Sequence, residues 1–215
     1  MINIYCISGL GADRRIFDNL KIKDVNLVHI KWPVHSKTDA MSSYAVKVSE
    51  IIKEDNPVIM GVSFGGMLAV EIAKVRPVKR AILISSAKDI RERPSLPYLI
   101  KHIVTTGLIP SFMYKIPNPV LYALFGVESR RDRKVLREIV LDSDAELIKW
   151  AVNAIITWPN TIVPGGIVHI HGKKDRLIRP RNIKANYWIE DGGHMMIYNR
   201  ADQISRIIEQ ELEGL

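Results

Sequence analysis

Short apolar runs recur along the chain, and stretches of helical periodicity fill the intervals between them. Six of these runs predict strands, at residues 3–8, 25–31, 58–62, 81–85, 167–171 and 185–189. Several are continuously apolar rather than alternating, as strands covered on both faces must be. Residues 41–54, 64–75 and 201–212 predict helices. In the last, Ile204, Ile207, Ile208 and Leu212 repeat at the three-and-four spacing of an apolar stripe. Strands alternating with helices predict an α/β fold: a mostly parallel, doubly wound sheet of about six strands.

One segment breaks this rhythm. Residues 88–164 contain no convincing strand; helical pieces alternate there with Pro94, Pro97, Pro110, Pro117, Pro119, Pro159 and Pro164. Within it, Leu147, Trp150, Ala151, Ala154, Ile155 and Trp158 fall at helical spacing over residues 144–158. An insertion between two sheet strands is expected to lie as a helical cap over their ends, the plainer alternative being additional helical core. The expected division is therefore a core of residues 1–87 and 165–215, with 88–164 inserted as the cap.

A chain of 215 residues, 47% of them hydrophobic and 25% charged, suits one globular domain with an insertion. The longest apolar stretch, 57–73, is interrupted by Ser63, Gly65, Gly66 and Glu71, so strand plus helix explains it and no membrane span is expected. The first residues read directly as a strand, without a basic leader. Cys6 is the one cysteine and excludes an intramolecular disulfide. Together these point to the cytoplasm. The formal net charge of +8 raises the question of nucleic acid, but the densest basic run, Arg130 to Lys134, lacks interleaved aromatics and reads as a solvated helix face. The excess charge would still concentrate anionic substrates or surfaces near the protein.

The candidate chemistry begins at Gly61-Val62-Ser63-Phe64-Gly65, set between a strand pattern and a helix pattern. A serine flanked by glycines at that junction suits a sharp strand-to-helix turn that thrusts the hydroxyl outward. Serine is a poor nucleophile without a base, and a histidine oriented by a carboxylate supplies one. Asp175 follows the predicted strand 167–171, and His194 follows the strand 185–189. Ser63 follows its own strand too, and in a parallel sheet all three carboxyl ends share one side.

These residues, in the order serine, acid, histidine, resemble the α/β-hydrolase superfamily over nearly the whole chain. The resemblance implies Ser63 as nucleophile, Asp175 as acid and His194 as base, with 88–164 as the variable cap. It implies an oxyanion hole from the backbone N–H groups of Phe64 and of Leu10, in the glycine-rich Ser8-Gly9-Leu10-Gly11; an ordinary turn capped by Asp13 is the alternative there. Three departures stand out. Serine replaces the histidine often found at the start of the oxyanion loop. The usual leading hairpin is absent, and the 19 residues from Asp175 to His194 leave room for a loop around Arg179 to Asn182 rather than a helix. Asp89, after strand 81–85, is the substitute acid should Asp175 not reach. His169 and His171 alternate on one strand face and are expected to pack or bond locally, while His29, His35 and His102 carry no metal-ligand spacing. No cofactor or metal is implied.

The expected activity is hydrolysis of a carboxylic ester or thioester through an acyl-enzyme. The partner is a small acyl substrate with an apolar portion; Arg14 and Arg15 either meet an anionic end or are simply solvated. Other chemistries of the same scaffold (C–C hydrolysis, lyase or acyl transfer) and a catalytically silent binding module are the alternatives. Oligomeric state is left open.

Overall fold

The computed structural model describes residues 1–94, 98–213 and 215. Six strands form one sheet: β1 (Ile2–Ile7), β2 (Val25–His29), β3 (Val58–Val62), β4 (Arg80–Ile84), β5 (Ile167–Gly172) and β6 (Tyr187–Ile189). Their order is β2-β1-β3-β4-β5-β6, and every neighbouring pair is parallel. The helices are α1 (Met41–Ile51), α2 (Phe64–Val75), α3 (Tyr98–Thr105), α4 (Pro119–Phe125), α5 (Arg130–Asp142), α6 (Ala145–Thr157), α7 (Met196–Asn199) and α8 (Ala201–Leu212).

The continuous apolar runs have the predicted cause. Alternate residues of each strand enter opposite layers, because strand side chains point to opposite faces. Ile59 and Leu83 join one buried cluster with Tyr44 of α1, Leu68 of α2 and Trp150 of α6. Met60, Ile82 and Ile84 join the other with Ile139 of α5, Met196 of α7 and Ile204 of α8. Helices on both faces of a parallel sheet give the expected doubly wound α/β architecture. Cys6 is buried inside the second cluster, and burial pushes its thiol pKa up, so it packs as a small apolar residue.

Most predicted elements differ from the observed ones by one to three residues at their ends. The last strand is shorter, three residues instead of five, and α7 is a short helix that periodicity did not signal. Among the described residues, 88–164 contain helices and no strand. These helices are not detached from the sheet: α6 belongs to one layer and α5 to the other. The segment also leaves and rejoins the sheet at one neck. Asn160 donates its side-chain amide to the Lys88 carbonyl at 2.8 Å, and its own carbonyl accepts from the Ile90 N–H at 2.8 Å. Beneath that neck the Trp158 indole and the Lys74 ammonium both donate to the buried Glu71 carboxylate, at 2.7 and 2.9 Å.

The chain runs from β1 outward to β2, then returns past β1 to β3 and proceeds to the other edge. The switch point therefore lies between β1 and β3, and the crevice beyond their carboxyl ends is where such sheets receive ligands.

Candidate active site

At the end of β3 the backbone turns at Ser63 with φ 52° and ψ −118°, a conformation that a non-glycine residue adopts only under constraint. Its surroundings supply that constraint. The Ser63 N–H donates to the Ile84 carbonyl of β4 at 2.9 Å. The Ser63 carbonyl accepts from the Ser86 hydroxyl at 2.6 Å and from the Gly66 N–H at 3.0 Å. The flanking glycines are required by space: a Cβ on Gly61 would strike the Gly65 backbone, and one on Gly65 would strike the carbonyls of Ile7 and Ser8. The pentapeptide is thus built as a turn that brings α2 against the end of β1.

The outward hydroxyl meets an imidazole. Ser63 Oγ lies 3.0 Å from His194 Nε2, and His194 Nδ1 lies 2.8 Å from Asp175 Oδ2. With Nδ1–H donating to the carboxylate, Nε2 is free to accept the serine proton. The other carboxylate oxygen, Oδ1, accepts the Leu177 and Ile178 N–H groups at 2.9 and 2.8 Å. Burial alone would raise the Asp175 pKa, but the His194 ring, its hydrogen bond, His171 and the Ile178 N–H together hold it below the usual carboxylate value. The carboxylate therefore stays charged where its imidazole partner needs it.

The short interval between acid and histidine is resolved in the same region. Residues 180–182 form a single 3-10 turn, in place of a full helix, and Asp175 still reaches the ring. Asp89, the substitute acid, is engaged by the Arg91 backbone and guanidinium and makes no bond to His194. Arg15 pairs with Asp13 and Asp142, and neither Arg14 nor Arg15 lines the cavity above Ser63.

The β1 loop closes through its own leading serine. The Ser8 hydroxyl donates to the Ala12 carbonyl at 2.7 Å, the Ala12 N–H returns to the Gly9 carbonyl at 2.9 Å, and Gly11 takes φ 65°. This brings the loop to Ser63: a Cβ on Gly9 would sit 3.4 Å from the serine Cβ. The Phe64 N–H opens α2 and has no intrahelical acceptor, and the Leu10 N–H finds no backbone acceptor among the described residues. Asp13 does cap the 3-10 helix after this loop, accepting from the Arg15 N–H.

Two further contributors extend the site: His171 was expected only to pack or bond locally, and Phe125 was not singled out. His171 sits behind the acid: its Nε2 donates to the Ile178 carbonyl at 2.9 Å, bracing the residue whose N–H holds Asp175. Its position four residues before Asp175, on a largely apolar strand, signalled nearness to the acid but not the bond to Ile178. The second is Phe125, at the end of α4, whose ring meets the His194 ring edge-on at 5.2 Å. Its carbonyl accepts from the Met195 N–H at 2.9 Å, and Gly126 approaches Gly193 closely enough that a Cβ on Gly126 would lie 3.1 Å from the Gly193 Cα. No periodicity could announce a contact that joins residues so distant in the chain.

A cavity of about 320 Å³ opens over Ser63 and His194. Its walls include Met67, Leu121, Phe125, Leu136, Ile148 and Ile155, and no Asp, Glu, Lys or Arg lines it among the described residues. It is an apolar pocket whose polar side chains are Ser63 and His194 at the floor and Tyr114 from the 3-10 helix Ser111–Lys115.

A larger, shallower groove between Asp18, Arg131 and Asp202 lies elsewhere and is mainly polar. Among the described residues no group of three or more His, Cys, Asp or Glu is placed to hold a metal ion, and no helix is long and apolar enough to cross a membrane.

Comparison with known proteins agrees with this fold. No curated protein matches the sequence, but the shape has many relatives. An esterase from Thermogutta terrifontis superposes with a TM-score of 0.76 at 16% identity, covering 100% of this chain and 90% of that one. A hydrolase from Oleispira antarctica gives 0.77 at 15% identity, covering 100% and 92%. The enol-lactonase from Burkholderia xenovorans LB400 gives 0.74 at 17%, covering 99% and 91%. At such identities these likenesses speak for the fold alone. The sequence itself matches the model of the alpha/beta hydrolase family over residues 4–207, and the chain belongs to that family.

Proposed function

We propose that this protein is a serine hydrolase that cleaves a carboxylic ester or thioester through an acyl-enzyme, with residues 88–164 acting as the cap over its pocket. The observation that carries this reading is the continuous line Ser63 Oγ–His194 Nε2–Asp175 Oδ2, at 3.0 and 2.8 Å, on the floor of an apolar cavity.

In this reading His194 takes the serine proton as Oγ attacks the acyl carbonyl, then delivers it to the departing alcohol or thiol. Asp175 fixes the imidazole tautomer and stabilises the imidazolium that forms. The Leu10 and Phe64 N–H groups receive the oxyanion, aided by the positive end of α2, which starts at Phe64. Water activated by His194 then releases the acyl group. The uncharged lining favours a substrate without an anionic end near the scissile bond, so Arg14 is read as a solvated surface group and Arg15 as a structural ion-pair partner of Asp13 and Asp142.

The direct test is covalent labelling of the purified protein with a fluorophosphonate. Stoichiometric labelling is expected at Ser63 and is expected to vanish in Ser63→Ala. A folded wild-type protein that takes up no label would point to a silent binding module instead.

A further inference from the structure

The stretch 93–127 contains no Asp or Glu, although the chain has 23 of them, and it contains Arg93, Lys101 and Lys115. Within it Ile103, Leu108, Phe112, Met113, Ile116 and Val120 all stand exposed, Leu108 at 76% and Val120 at 67%. Scattered single apolar residues on a surface are ordinary, but six large ones within 18 residues require a reason. The same stretch has a second face. Tyr114, Leu121 and Phe125 line the cavity above Ser63. The 3-10 helix Ser111–Lys115 thus lies between an apolar cavity and an apolar exterior, seated against α6.

We infer that the exposed side of residues 103–120 is a docking surface for an anionic lipid bilayer. Charge selects this occupant over a second copy of the chain. A symmetric pair would press two acid-free, lysine-bearing segments together, with no carboxylate of that stretch to compensate them. A bilayer with anionic headgroups answers both features, taking the apolar side chains into the headgroup boundary while the cations meet phosphate. Lys115 is the one lysine or arginine within residues 103–120, and Lys149 borders them: its ammonium donates to the Gly107 carbonyl at 2.8 Å, beside Leu108. The net charge of +8 on the whole chain favours the same encounter. No helix is inserted across the bilayer; the contact is interfacial. The inference goes beyond the proposed hydrolase reaction and does not depend on it.

The test is flotation of the purified full-length protein with vesicles of phosphatidylcholine alone and of phosphatidylcholine with phosphatidylglycerol. The protein is expected to float with the phosphatidylglycerol vesicles, and the double variant Leu108→Asp, Phe112→Asp is expected to lose at least tenfold in partitioning. Neither residue lines the cavity, so the variant should keep its hydrolysis of a short soluble ester or, failing a known ester, its circular dichroism spectrum and melting temperature. Equal partitioning of variant and wild type, or no flotation with either vesicle, overturns the inference. So does a wild-type dimer in sedimentation velocity that the double variant abolishes, since the patch would then belong to a second copy. Because flotation needs no turnover, its failure leaves the hydrolase reading untouched, and failed fluorophosphonate labelling leaves this surface untouched.

Discussion

At Ser63 a single residue carries backbone constraint and proposed chemistry together. The turn positions Oγ at the imidazole while its N–H and carbonyl remain tied to β4 and to Ser86. If serine, histidine and aspartate act as one unit, their removal is not additive. Ser63→Ala and His194→Ala should each lower kcat by roughly three orders of magnitude or more, and the double variant should lose little beyond either. Asp175→Asn should also cost on the order of 10³–10⁴, because the amide no longer enforces the tautomer. Kinetics on any ester the enzyme accepts would check this, and losses that simply multiply would break the assignment. Most of this constellation was legible in the sequence, since glycine spacing and strand ends both have local causes. The brace from His171 was not, because its hydrogen bond to Ile178 depends on how the loop after β5 folds back.

At the scale of elements, the loop that bears His194 is held from the insertion. Gly126 ends α4 in the left-handed region at φ 68°, accepts no Cβ without crowding Gly193, and follows the Phe125 carbonyl that receives the Met195 N–H. Gly126→Ala should therefore act in two ways. The left-handed backbone costs a non-glycine residue roughly 1–2 kcal/mol, and the new methyl displaces the His194 loop. The expected result is a modest fall in melting temperature with a several-fold fall in kcat and a smaller change in KM. Thermal melts and steady-state kinetics would separate the two effects; a kcat equal to wild type would deny the loop its dependence on α4. The sequence indicated helices here but not their seat. An αL glycine after α4 is a local signal, whereas the partner it packs against lies 67 residues further on.

For the whole molecule, the parallel direction of the strands was legible in the pattern and their order in the sheet was not, while the content of the buried layers sets the response to pH. His169 is fully buried, and neither ring nitrogen makes a hydrogen bond of ordinary geometry among the described residues. Burial, the neighbouring His171 and Lys88 hold its pKa well below the ordinary value, although Glu92 lies 3.8 Å from Nδ1. Burial likewise lowers His171, against the pull of Asp175 and the Ile178 carbonyl. In the unfolded chain both rings bind protons near pH 6.5, and in the folded chain they do so only at lower pH. Unfolding thus takes up protons, and stability rises with pH up to about 6.5 and then levels. Below that point each ring contributes a slope of up to about 1.4 kcal/mol per pH unit. Asp175 adds to the loss further down, since its folded pKa is depressed and its stabilisation disappears as pH falls through that value. Denaturant melts from pH 7.5 to 5 should show this decline, with a shallower slope in His169→Leu. An unchanged slope would mean that His169 does not control it.

The neck where Asn160 meets Lys88 and Ile90 has a consequence for how this molecule could be re-engineered. In the proposed division both ends of residues 88–164 are clasped there, so exchanging the intervening helices need not disturb the register of β4 against β5. A chimera that keeps the clasp should still fold provided the imported cassette also supplies the apolar faces that α5 and α6 give to the two buried layers. It would also need a replacement for the Phe125 support, or its imidazole would be left without a wall.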